Sequence, residues 1–227
     1  MQKVVLITGA GGNLGEAVVN EFSSLGYRVV GTAVPGRLPA GATKAEFVEA
    51  DLTNEKAASD AIDKIVAKHG RLDAVIMLVG GFAMGNIEDT GGAELDKMLH
   101  LNFYTAYFTA RPAFQAMAKV GGGRLVFVGA RPALQASAGK DTLPYALSKS
   151  LLFNLSDILN ESGKGKHITS SIVVPSIIDT PPNRKNMPDA DFSKWVKPEK
   201  IAKTIGFICS EEGDALRKGV YKIYGDS

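Results

Sequence analysis

The sequence predicts an α/β fold: one doubly wound domain over residues 1–227, with a central parallel sheet flanked by helices. Three observations carry this. Short β-branched runs alternate with longer helical patterns along the whole chain, the signature of βαβ units. The strand runs are nearly continuous in apolar residues, as expected for strands covered on both faces. Residues 5–15, Val-Leu-Ile-Thr-Gly-Ala-Gly-Gly-Asn-Leu-Gly, join the first strand to the first helix through a glycine-rich turn, which makes the fold Rossmann-type.

Taken in order, Lys3–Thr8 is the first strand, and Asn13–Ser24 follows the glycines as a helix. Arg28–Ala33 and Ala45–Glu49 are β-branched or aromatic runs and read as strands. Asn54 opens the helix 54–68 as its N-cap. Ala74–Val79 is a buried strand, and 93–120 is one long helical pattern. Gly123–Val128 is the fifth strand, and Leu143–Glu161 the helix after it. Thr169–Val174 and Val220–Ile223 complete the sheet, separated by a helix 198–210 that starts on Pro198 in its first turn. Residues 179–197 have no clear period and hold Pro181, Pro182 and Pro188, which suggests a loop or lid. Ligands of such a fold lie at the carboxyl ends of the strands.

Composition excludes several classes. The 227 residues suffice for a full core, and with 45% apolar content disorder is not expected. A net charge of +2, from dispersed Lys and Arg, argues against a nucleic-acid partner or an acidic membrane surface. Cys209 is the only cysteine, so no intrachain disulfide can form. The longest apolar stretch, Ala74 to Met84, is far short of the ~20 residues of a membrane span. The amino terminus lacks the pattern of a signal peptide. His69, His100 and His167 have no metal-ligand spacing, so no metal is expected. A soluble, cytoplasmic protein is the expectation.

Two motifs carry chemistry. In the turn, Gly9, Gly11, Gly12 and Gly15 allow positive φ and let backbone N–H groups approach a pyrophosphate. In Pro-Tyr-Ala-Leu-Ser-Lys, Tyr145 and Lys149 stand at i,i+4 on one helical face. An adjacent ammonium is expected to lower the phenol pKa, making Tyr145 a proton donor near neutral pH. A dinucleotide turn plus a tuned proton donor reads as a nicotinamide-dependent reductase. At the end of the second strand, Ala33 occupies the place where an acid would select NAD, and Arg37 is within reach of a 2′-phosphate. NADP(H) is therefore favoured, with NAD(H) possible; the alternative for Arg37 is a solvated loop charge.

The spacing Thr8-Gly9-x-x-x-Asn13-Leu14-Gly15 resembles the Thr-Gly-x-x-x-Gly-x-Gly turn of the short-chain dehydrogenase/reductase family. Asn13 replaces the middle glycine and is expected to tolerate left-handed geometry. The resemblance implies further roles. Asp51 and Leu52 would edge the adenine, unless Asp51 only caps a helix. Gly80, Gly81, Pro175 and Thr180 would meet the cofactor, Thr180 at the carboxamide. Asn102 would hold a water joining Lys149 to solvent, and Lys149 would bind the nicotinamide ribose.

The family's serine at the end of the fifth strand is missing: Ala130 stands there, and Ser137 could substitute only if its loop folds back. These departures resemble the dihydropteridine reductase branch, whose Leu-Asp-Thr-Pro…Asn-Arg-Lys…Met-Pro…Ala-Asp-Phe…Trp string is matched at 174–195. Gly80-Gly81-Phe82-Ala83 and Gly129-Ala130-Arg131 are similar to that branch as well. The resemblance implies a quinonoid dihydropterin substrate, with Phe82 stacking on it, or sitting as a core-edge residue, and Trp195 anchoring a lid. It also implies a homodimer formed by the helices 93–120 and 143–161. Another carbonyl or quinone reductase, and a non-catalytic dinucleotide sensor, are the alternatives.

Overall fold

Seven strands form one sheet in the order β3-β2-β1-β4-β5-β6-β7, every pair parallel. The computed structural model describes residues 1–39 and 44–226. The strands are β1 Val4–Thr8, β2 Arg28–Ala33, β3 Glu46–Glu49, β4 Ala74–Met77, β5 Gly123–Val128, β6 Ile168–Pro175 and β7 Val220–Ile223. The helices are α1 Asn13–Ser24, α2 Glu55–His69, α3 Gly92–Met98, α4 Thr105–Val120, α5 Ala136–Gly139, α6 Leu143–Ser162, α7 Pro181–Asn186 and α8 Pro198–Cys209. Asn54 does cap α2, its side chain accepting from the Ala57 N–H at 2.9 Å, and left-handed Gly70 ends that helix.

Alternation along each strand builds two cores. Val4, Leu6, Val75, Leu125 and Phe127 face one side and pack with residues of α2, α4 and α6. Val5, Ile7, Ile76, Val126 and Val173 face the other and pack with residues of α1 and α8. Phe127 is fully buried, so its truncation to alanine should cost ~3–5 kcal/mol.

Three expectations need correction. The fourth strand stops at Met77 rather than Val79, because the Thr8 hydroxyl takes the N–H groups of Leu78 (3.0 Å) and Val79 (3.3 Å) out of the ladder. The helix expected over 93–120 is interrupted by a π-helical stretch, Leu99–Tyr104. Residues 179–197 are structured: α7, a 3₁₀ turn at Phe192–Lys194 and a bridge between Ile178 and Val196 tie them down.

The amino-end edge of the sheet is closed by ion pairs and hydrogen bonds. Asp73 accepts from the Val4 N–H (2.7 Å) and from Arg71 (2.9 Å). Glu46 pairs with Lys68 and His69, and Arg124 with Asp214. The carboxyl-end edge carries the glycine turn and the Tyr-Lys motif.

Candidate active site

The glycine turn divides its labour. Gly9 is left-handed, with φ 67°, which favours glycine. A Cβ on Gly15 would lie 2.2 Å from the Gly9 carbonyl oxygen, so only glycine lets α1 start this close to the turn. Gly11 and Gly12 are exposed, and Gly12 caps α1 without any side-chain bond. The first-turn N–H groups, of Asn13, Leu14 and Gly15, therefore have no intrahelical acceptor, which leaves them able to receive an anion. Asn13 is not left-handed, as the spacing had suggested: it is already helical, so replacing glycine there strains nothing. Leu14 turns its side chain into the α1/α8 core and leaves its backbone for the turn.

Beside the turn lies a cleft of ≈ 320 Å³ lined by Gly9, Gly11, Gly12, Ala33, Arg37 and Asp51, among others. Buried Ala33 leaves the β2 end of its wall without an acid, and exposed Arg37 stands at its rim. Asp51 accepts from the Thr53 hydroxyl (2.7 Å) and N–H (2.9 Å), bonds that lower its carboxyl pKa. Leu52 is buried below. Free helix amides, glycines without side-chain bulk and a cleft beside them suit a dinucleotide.

Tyr145 and Lys149 both stand on α6. Lys149 is 6% exposed, and its ammonium donates to the Val128 carbonyl at 2.9 Å. Burial lowers its pKa to about 8. The expected downward pull on Tyr145 is not what this arrangement gives: burial raises the phenol to about 12. The ammonium is engaged by the β5 carbonyl instead. Gly80 passes so close that a Cβ would lie 2.6 Å from Asn102 Oδ1 and 3.2 Å from Lys149 Nζ.

Asn102, 1% exposed, sits in the π-helical stretch. Its Oδ1 accepts from the Gly81 N–H (2.8 Å), while Nδ2 donates to the Gly81 carbonyl (3.1 Å) and to Ser148 Oγ (3.0 Å). The next residue, Phe82, is 61% exposed and meets the Tyr145 ring edge-on at 5.1 Å. Ala130 is buried just past β5, with no hydroxyl to offer. Gly139 packs against Pro132 and Ala146, and Ser137 lies exposed on α5.

Pro175 ends β6, and Thr180 caps α7, accepting from the Asn183 N–H at 3.4 Å. Arg184 holds Asp179 through two bonds (2.6 and 2.9 Å) and lies over the Phe192 ring, which packs on Trp195 at 4.8 Å. Trp195 is 7% exposed: it anchors this segment from inside rather than offering an open face. Residues that sequence reasoning did not single out are Thr8, which ends β4, and Ser148, which meets Asn102. The only sequence signal for each was its place beside a motif residue. Among the described residues, no helix is long and apolar enough to cross a membrane and no cluster could hold a metal ion.

Residues 3–191 match the family model for short chain dehydrogenase. Dihydropteridine reductase of Dictyostelium discoideum is 28% identical over 208 residues, covering 90% of this chain and 87% of that protein. Acetoacetyl-CoA reductase of an Acinetobacter strain is 24% identical, covering 93% and 92%. A solved structure of ElxO with NADP bound superposes with a TM-score of 0.90 at 26% identity, covering 99% of this chain and 98% of that one. With the glycine turn, the Tyr-Lys pair and the sheet order all in agreement, the chain belongs to the short-chain dehydrogenase family of oxidoreductases.

Proposed function

We propose that this oxidoreductase reduces a quinonoid dihydropterin, or a similar conjugated imine, with NADPH preferred over NADH. The observation that carries the reading is Ala130: the strand-5 hydroxyl that would hold a ketone oxygen is absent while Tyr145, Lys149 and Asn102 remain. The 28% identity to a dihydropteridine reductase supports it, as does the NADP in a structural neighbour. Carbonyl reduction is the second reading, supported by the resemblance to acetoacetyl-CoA reductase.

The first-turn amides of α1, with Gly11 and Gly12, would hold the pyrophosphate. Ala33 and Arg37 would accept a 2′-phosphate, Asp51 and Leu52 would edge the adenine, and Gly80, Gly81, Pro175 and Thr180 would flank the nicotinamide. The reduced nicotinamide supplies the hydride when bound. Lys149 would exchange its Val128 partner for ribose hydroxyls, and Tyr145 would donate its phenolic proton to the substrate nitrogen. Lys149 and Asn102 would restore that proton from solvent. Phe82 offers an exposed aromatic face for a flat ring, and buried Trp195 steadies the segment beyond.

Turnover of quinonoid dihydrobiopterin and of simple ketones, each with NADH and NADPH, tests this. Pterin turnover should exceed ketone turnover and run best with NADPH. Strong ketone reduction without pterin turnover would move the assignment to the second reading.

A further inference from the structure

We propose that Ser148 is a positioning residue that locks the Phe82 loop onto the helix carrying Tyr145, an inference that rests on reading Tyr145 as the proton donor. Ser148 is fully buried, and the mechanism above makes no use of it. Its hydroxyl donates to the Tyr145 carbonyl at 2.8 Å and accepts from Asn102 Nδ2 at 3.0 Å. A primary amide nitrogen has two protons, and Asn102 gives one to the Gly81 carbonyl and one to Ser148. Without the hydroxyl, a buried N–H keeps only Met98 Sδ, a weak acceptor at 3.7 Å. Leaving such a donor unsatisfied is costly, so the amide would turn and release Gly81.

The loop on the other side is built for this contact. A Cβ on Gly80 would lie 2.6 Å from Asn102 Oδ1, and one on Gly81 2.4 Å from Leu101 Cδ2. Two glycines therefore let the backbone lie flat against the π-helical stretch, and the following Phe82 reaches back to the Tyr145 ring. The contacts close a circuit from the Tyr145 carbonyl through Ser148, Asn102 and Gly81 to Phe82 and back to the Tyr145 phenol. Because Ala130 offers no hydroxyl from the β5 side, a flat substrate is oriented chiefly by this Phe82–Tyr145 corner, and Ser148 sets its angle.

Amide hydrogen exchange on the full-length protein without cofactor tests the proposal and needs no substrate. Ser148→Ala should speed exchange of the Gly81 amide about three- to tenfold, the worth of one net hydrogen bond. The amides of Val75 and Val126, deep in β4 and β5, should not change. Asn102→Ala should speed Gly81 more, and adding Ser148→Ala to it should bring no further change. Ser148→Cys, with a weaker partner at the same place, should fall between, and carries the test if the alanine variant does not fold. KM for quinonoid dihydrobiopterin should rise in Ser148→Ala. Unchanged Gly81 exchange, or parallel acceleration at Val75 and Val126, overturns the proposal. Absence of pterin turnover in the parent protein would sink the substrate reading, and the exchange result would still decide on Ser148.

Discussion

Lys149 shows how one side chain can be held in readiness. Burial lowers its pKa from 10.5 to about 8, so the folded protein gives up this proton before the unfolded chain does. The unfolded chain therefore binds more protons between pH 8 and 10.5, and this residue makes stability rise with pH across that window. Tyr145 acts in the opposite sense: raised from 10.0 to about 12, it makes stability fall over that interval. A ¹³C titration of the lysine side chains without cofactor should show one resonance with a midpoint near 8, absent in Lys149→Met. Tyr145→Phe removes the acid but keeps the ring against Phe82, so turnover should fall ~10²–10⁴-fold with NADPH affinity nearly unchanged; unaltered turnover would remove Tyr145 from the mechanism. That Tyr145 and Lys149 share one helix was legible from spacing alone. The electrostatics of the pair were not, because the carbonyl that captures the ammonium comes from β5, twenty-one residues away.

At the scale of elements, strands and long helices could be read from periodicity, and the glycine turn from composition. What escaped depended on partners distant in sequence. Thr8 shortened β4, the wide turn of Leu99–Tyr104 broke an unbroken helical pattern, and a ladder bond to Val196 ordered the segment after Ile178. Asn102 is the clearest case, since its identity suggested a role but its four contacts are made with Gly81, Met98 and Ser148 from a π-helical stretch, a geometry common at functional sites. The β2 end allows a cofactor test. Arg37→Ala should raise the NADPH Michaelis constant alone, by the equivalent of ~1.5–3 kcal/mol for a charge-assisted phosphate contact. Ala33→Asp should move preference toward NADH. Equal effects on both cofactors would show that this rim does not read the 2′-phosphate.

For the whole molecule, α4 and α6 leave Tyr107, Leu147 and Leu151 more than a third exposed, and Ile158 at 62%. Such large apolar side chains on two long helices that share one core fit a second copy. Light scattering after gel filtration should give twice the 24.0 kDa chain mass, and Leu151→Glu should return it to one copy. A monomer at micromolar concentration would set the pairing aside. The two ends of the sheet also differ in what they do. The amino ends are fastened by Asp73, Glu46 and Arg124, while the carboxyl ends hold the groups assigned to chemistry. Changes of substrate can thus accumulate along one rim without loosening the fasteners on the other. That separation gives a physical reason why relatives only 24–28% identical to this chain carry names as different as dihydropteridine reductase and acetoacetyl-CoA reductase: drift in specificity need not be repaid by refolding the frame.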